Sequence, residues 1–149
     1  MPRSYASLHI HVVFSTKNRE PHIKLELQPR LFEYIGGVLR NGSCRLLAAG
    51  GMPDHVHLLV SFGREDCVAD VVRLIKSNSS AWIHETLRRP DIRWQEGYGA
   101  FSVSHSNLDQ VRSYLESQQH HHQTMTFQEE FISLLKRHEI EWDERYLWD

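Results

Sequence analysis

Apolar and polar residues alternate from Leu8 to Thr16, with Leu8, Ile10, Val12 and Phe14 on one side, and this period of two predicts a β-strand. The polar run Lys17-Asn18-Arg19-Glu20-Pro21 ends it as a turn. Past Pro29, apolar positions at Leu31, Phe32, Ile35, Val38 and Leu39 predict a helix that stops at Asn41-Gly42. Within it, Gly36-Gly37 either weakens the helix or marks a close packing contact. Cys44 to Ala49 and His55 to Phe62 read as two strands joined through the turn-rich Gly50-Gly51-Met52-Pro53-Asp54. From about Asp66 to Leu87, Val68, Val71, Val72, Ile75, Ser79, Trp82 and Ile83 recur at three and four, the stripe of a long amphipathic helix. Trp94 and residues 99–104 flank Glu96-Gly97-Tyr98, which predicts a hairpin of short strands. Ser106 with Asp109 reads as a capping box opening a helix with Leu108, Val111 and Leu115 inward. A second box, Thr126 with Glu129, opens a helix through about His138 that carries Phe127, Phe131, Leu134 and Leu135. An acidic, aromatic tail runs from Trp142 to Asp149.

The order strand–helix–strand–strand–helix–strand implies an α+β fold, a ferredoxin-like antiparallel sheet with helices packed on one face. With 149 residues and no linker or internal repeat, residues 1–149 are expected to form one domain. Hydrophobic and charged fractions of 40% and 24% exclude disordered and collagen-like classes. No apolar run approaches the ~18 residues of a membrane span, and no signal-peptide core follows the first residues, so a cytoplasmic protein with no membrane partner is expected. Cys44 and Cys67 are too few and too far apart for a disulfide scaffold or zinc knuckle and read as small buried apolar residues. The formal charge of −2 divides unevenly: residues 1–100 hold 13 Lys and Arg against 10 Asp and Glu, and residues 101–149 hold 4 against 9. Nucleic-acid contact must therefore be local and on the N-terminal part, since there is no global basic excess.

Two short patterns carry chemistry. In Asp54-His55-Val56-His57, the alternation of a strand turns both histidines to one face, where two imidazoles side by side can ligate one divalent ion or simply stand as polar surface. His9 and His11 share that spacing. In Tyr114-Leu115-Glu116-Ser117-Gln118, a helix stacks Tyr114 and Gln118 one turn apart. The amide oxygen suits a hard cation and the phenol can serve as a nucleophile. A half-buried tyrosine and a solvated glutamine are the plainer alternative.

Taken together, His55-Val56-His57 and the Tyr114…Gln118 helix resemble the HUH endonuclease signature and its tyrosine helix. The strand running into Thr16-Lys17-Asn18-Arg19, the stretch from Gly97 to Ser104, and Gln118-Gln119-His120-His121 extend the likeness over roughly residues 5–135. The chain is similar to single-tyrosine transposases of small insertion sequences, including relatives associated with repetitive extragenic palindromes (REPs). The resemblance implies C-terminal helices carrying the tyrosine, with Tyr114 as catalytic nucleophile. It implies His55, His57 and Gln118 as ligands of Mg²⁺ or Mn²⁺, and single-stranded DNA with hairpin ends as partner. Cleavage would leave a 5′-phosphotyrosine link and a free 3′-OH that later rejoins ends. It further implies a homodimer, with the active site either shared between subunits or held within each.

Lys17, Arg19 and Lys76 are candidates for phosphate contact, or else solvated charges. The cluster Arg88, Arg89 and Arg93 precedes Trp94, which reads as a core residue or a stacking platform. Asp54 either fixes the tautomer of a ligating imidazole or makes the turn after Pro53. His9 and His11 could form an outer shell, and His120-His121-His122 could bind a stray metal ion but, just past the tyrosine helix, reads first as a solvated helix end. The C-terminal tail covers either a dimer interface or its own core. Besides a DNA strand transferase, two functions remain open: a domesticated hairpin-DNA-binding protein without turnover, and a metal-dependent hydrolase unrelated to DNA.

Overall fold

In the computed structural model, which describes residues 3–122 and 124–149 (with backbone alone for His121), four strands form one antiparallel sheet. They are β1 (Leu8–Ser15), β2 (Arg45–Met52), β3 (His55–Phe62) and β4 (Gly99–Val103), in the order β2-β3-β1-β4. Helices α1 (Gln28–Arg40) and α2 (Val68–Glu85) complete the ferredoxin-like order. Three further helices follow: α3 (Leu108–Glu116), α4 (Gln118–His121) and α5 (Phe127–Arg137).

Side-chain alternation divides the sheet into two faces. Val12, Phe14, Val56, Leu58, Val60 and Phe62 join Leu31, Ile35 and Leu39 of α1 and Val72, Ile75 and Ile83 of α2 in the main core. The opposite face carries Val13 and Phe101 against Phe127, Phe131, Leu134 and Leu135 of α5. It also carries Leu59 and Ala48 against Leu115 of α3. The α+β sheet with α1 and α2 on one face is as expected, and the tyrosine-bearing C-terminal helices cover the other. β3 is therefore buried on both sides, and its histidines point into the second face rather than into water.

Three local expectations are corrected. Residues 94–98 make a loop instead of a hairpin arm: Trp94 bridges Thr16, and β4 pairs with β1 in the register His11↔Phe101. The loop carbonyls serve another group, since the Lys76 ammonium donates to the oxygens of Gln95 at 2.8 Å, Glu96 at 3.2 Å and Gly97 at 2.7 Å. At α3 the N-cap is Asn107 with no side-chain cap bond, because a 3-10 turn over His105–Asn107 precedes the helix and places Ser106 outside it. Cys44 is buried as expected, but Cys67 is exposed, at the N-cap of α2. The box at Thr126 and Glu129 forms with both of its hydrogen bonds and fixes the start of α5.

Candidate functional site

Register sets the first half of the site. Ser15 pairs with His55 and Val13 with His57, and β1 places His11 on the same face. His55 and His57 are fully buried, with ring centroids 5.1 Å apart. Each ring is held from outside by its Nδ1: Asp54 Oδ1 accepts from His55 at 2.7 Å, and His11 Nε2 lies 2.8 Å from His57. Both Nε2 atoms are thereby turned toward one point. Asp54 thus makes the imidazole contact as well as the turn, and His11 is an outer partner. His9 lies elsewhere, 5.9 Å from the His105 ring.

The second half comes from the helices. Leu115, fully buried against Leu59 and Ala48, anchors α3 and brings Tyr114 over the sheet. The helix breaks at Ser117 (φ −109°, ψ 26°) and restarts as α4, so Tyr114 and Gln118 do not share one continuous helix. They still converge. Gln118 is buried, its Oε1 lies 3.2 Å from His55 Nε2, and the Tyr114 ring sits 5.8 Å from the His57 ring.

Between these halves stands Glu130, 1% exposed, from the first turn of α5. Its Oε1 lies 2.8 Å from His57 Nε2, 3.1 Å from His122 Nε2 and 3.3 Å from His55 Nε2. Its Oε2 accepts from the Tyr114 hydroxyl and, at 3.2 Å, from Gln118 Nε2. His122 also meets Gln118 Oε1 at 3.0 Å, so it belongs to the site and is no solvated helix end. The side chain of His121 lies outside the described residues. One ligand atom each from His55, His57, His122 and Glu130 fall within 4.8 Å of one another. Two or three imidazole nitrogens with amide and carboxylate oxygens form a donor set compatible with a divalent cation.

Charge in the pocket follows from burial and pairing. Burial pushes His57 down to about 4, and burial with the neighbouring His57 pushes His11 down to about 3, so both rings are neutral. Burial also opposes a charge on His55, but hydrogen bonds to Asp54 and Glu130 outweigh it and raise His55 to about 9. Glu130 is disfavoured by burial too, yet hydrogen bonds from His122, His55 and His57 hold its carboxyl far below the usual range. Without a metal the Glu130 carboxylate thus faces a protonated His55 ring. Burial, then Glu130, raise the Tyr114 phenol above its ordinary value. A 370 Å³ cleft lined by His11, Phe101, Asn107, Gln110, Tyr114 and Arg137 gives the tyrosine an approach from solvent.

The structure brings together His55, His57, Tyr114 and Gln118, whereas none of the three basic candidates joins that cluster. Lys17 is exposed in the turn after β1. Arg19 has a left-handed backbone (φ 57°), and its guanidinium stands 5.5 Å over the Trp148 ring while bordering a cleft with Asp54 and His122. Lys76 lies on the α2 side, engaged by the three loop carbonyls and 5.1 Å over the Phe14 ring. Trp94 packs edge-on to Phe14 at 4.9 Å and donates to Ser79 Oγ at 3.0 Å, as a residue at the core margin does. In the tail, Trp142, Leu147 and Trp148 pack on the α5 cluster of this same chain.

Comparison with known proteins bears on family and fold. Residues 4–118 match the family model described as transposase IS200 like. The ISDra2 transposase TnpA of Deinococcus radiodurans is 24% identical over 119 residues, covering 74% of this chain and 84% of that protein. The crystal structure of a candidate transposase from Deinococcus radiodurans R1 superposes with a TM-score of 0.65 at 22% identity, over 79% of this chain and 95% of the other. A REP-associated tyrosine transposase bound to a REP hairpin gives a TM-score of 0.56 at 17% identity, over 77% and 68%. With more than half its length matched and the fold shared, the chain belongs to the IS200-like transposase family.

Proposed function

We propose that the chain is a metal-dependent transposase that nicks and rejoins single-stranded DNA at hairpin ends through Tyr114. The observation that carries this reading is the convergence of His55, His57, Gln118 and the Tyr114 phenol on one buried point, within the span matched to the family. His55 and His57 would hold Mg²⁺ or Mn²⁺ through their Nε2 atoms and Gln118 through its amide oxygen. Such a cation, when bound, polarises the scissile phosphate and offsets charge on the leaving oxygen.

The remaining work falls to the chain itself. Asp54 and His11 keep the two rings turned inward. The Tyr114 oxygen attacks phosphorus, the P–O3′ bond breaks, and the phosphodiester energy is kept in the O–P bond to tyrosine. The 3′-OH can later attack that bond and return the phenol, so joining needs no nucleotide cofactor. Tyr114 reaches the histidines of its own chain, which supports a nucleophile acting within each subunit, also where two chains form a homodimer. Lys17 and Arg19 at the end of β1 would meet DNA phosphates, and the protein would act in the cytoplasm.

A labelled hairpin oligonucleotide with a single-stranded flank, incubated with Mg²⁺ or Mn²⁺, tests the reading. The expected result is a protein–DNA adduct that survives denaturant and is absent in Tyr114→Phe. Hairpin binding without an adduct would instead mark a domesticated DNA-binding protein, and no DNA binding at all a hydrolase acting on other substrates.

A further inference from the structure

Glu130 lies outside the family-matched span of residues 4–118, yet it sits at the centre of the site. We propose that Glu130 is itself a ligand of the divalent cation, and that its second oxygen anchors the Tyr114 hydroxyl beside the cation; this rests on the metal-site reading above.

Charge is the first argument. His55, His57 and Gln118 form a neutral ligand set, and a dication in a buried pocket needs an anion facing it. Asp54 is turned to the outer nitrogen of His55, whereas Glu130 Oε1 faces the inner nitrogens of His55, His57 and His122.

Division of labour between the two oxygens is the second argument. While Oε1 faces the imidazoles, Oε2 accepts from Tyr114 and from Gln118 Nε2. The bond to Gln118 fixes which end of the amide points inward, so the carbonyl oxygen is the end left toward His55 and His122. Glu130 thus acts as ligand, as orienter of a second ligand, and as positioning residue for the nucleophile.

Support for the carboxylate is the third. The Thr126–Glu129 box fixes where α5 starts and so which of its residues faces the sheet. Phe127 stacks on His55 at 4.5 Å, while Phe127 and Phe131 pack against Trp148 of the tail.

Mn²⁺ titration followed by the electron paramagnetic resonance of the free ion separates the possibilities. The wild type is expected to bind Mn²⁺, Glu130→Gln and Glu130→Ala to bind about tenfold more weakly or worse, and Tyr114→Phe to bind within about twofold of wild type, because the phenol is held by the carboxylate and is no ligand. Equal or tighter binding by folded Glu130→Gln or Glu130→Ala overturns the proposal and identifies Glu130 as a competitor of the cation. A wild type that binds no Mn²⁺ overturns the metal-site reading and this proposal with it, whereas weakened binding in His57→Ala alone sinks only the role of Glu130. Should the Glu130 variants fail to fold, hydrogen exchange of wild-type α5 decides: saturating Mn²⁺ is expected to slow its amides, and unchanged exchange at saturation overturns the proposal.

Discussion

His11 Nε2 lies 2.8 Å from His57 Nδ1, so two neutral, buried imidazoles on neighbouring strands share one N–H between them. Because burial holds them near 3 and 4, an unfolded chain binds protons below about 6.5 that the folded chain refuses until about pH 4. Stability therefore falls as pH drops through that window. His55 acts in the opposite sense: raised to about 9 by Asp54 and Glu130 against its burial, it contributes stability that is complete below about 6.5 and lost as pH climbs through 9. The metal-free protein in chelator should be most stable near pH 6 to 7, losing on the order of 3 kcal/mol by pH 9, where one ring is involved, and on the order of 5 kcal/mol by pH 4.5, where two are. Melting temperatures by circular dichroism from pH 4.5 to 9.5 check this, and a flat profile above pH 6.5 would remove the imidazolium assigned to His55.

The Nε2 of His57 is buried whereas Lys17 is exposed to solvent, so chemistry and docking use different side chains and should separate. His57→Ala is expected to abolish adduct formation while leaving hairpin affinity within about threefold, since deletion of a single ligand removes metal-assisted attack without touching phosphate contacts. Gel-shift and adduct assays on one protein preparation report both quantities. Parallel loss of the two would mean that the cation also organises the docking surface.

Much of this arrangement is legible in the chain because the relevant periods are local. The alternation over 8–16 and 55–62 declares two strands and puts His55 and His57 on one face, and the four-residue step from Tyr114 to Gln118 survives even the break at Ser117. The partner of β4 is not legible, because pairing with β1 is a long-range choice that the Lys76-bound loop at 95–97 makes possible. Glu130 did leave a signal: it falls inside the apolar stripe of Phe127, Phe131 and Leu134, where a solvated acid does not belong. Its neighbour Glu129 serves the capping box, which makes both acids look like charges at a helix start. His122 likewise continues the step of four from Gln118, but three adjacent histidines after a polar helix carry the composition of a solvated end.

Lys17 and Lys76 are expected to respond differently to removal of charge. Lys17 is exposed after β1, so Lys17→Ala should leave the melting temperature unchanged, weaken hairpin binding, and reduce the slope of log affinity against log salt by about 1. Lys76 closes the 95–97 loop through three carbonyls, so Lys76→Met should lower stability by about 2 kcal/mol by leaving those oxygens unpaired. Salt-dependent binding and thermal melts of both variants check the contrast; a reduced salt slope for Lys76→Met as large as that for Lys17→Ala would make Lys76 a phosphate contact as well.

Gly50 is where the sheet lets the tyrosine helix come close. A Cβ built there would collide with Leu115 O and stand 2.6 Å from Leu115 C, backbone atoms with no rotamer to escape into. In Gly50→Ala, α3 must lift off β2, drawing Leu115 out of the pocket of Leu59 and Ala48 and carrying Tyr114 away from Glu130. A loss of about 3 kcal/mol in stability is expected, with adduct formation falling further than hairpin affinity. Gly37→Ala is the matched control: it lies inside α1, its Cβ would meet only Arg40 Nη2 at 4.0 Å, and removing a helix-interior glycine should raise stability by about 0.5–1 kcal/mol. Denaturant unfolding of both variants measures the pair, and a Gly50→Ala protein as stable as wild type would show that α3 does not need this contact to hold the tyrosine in place.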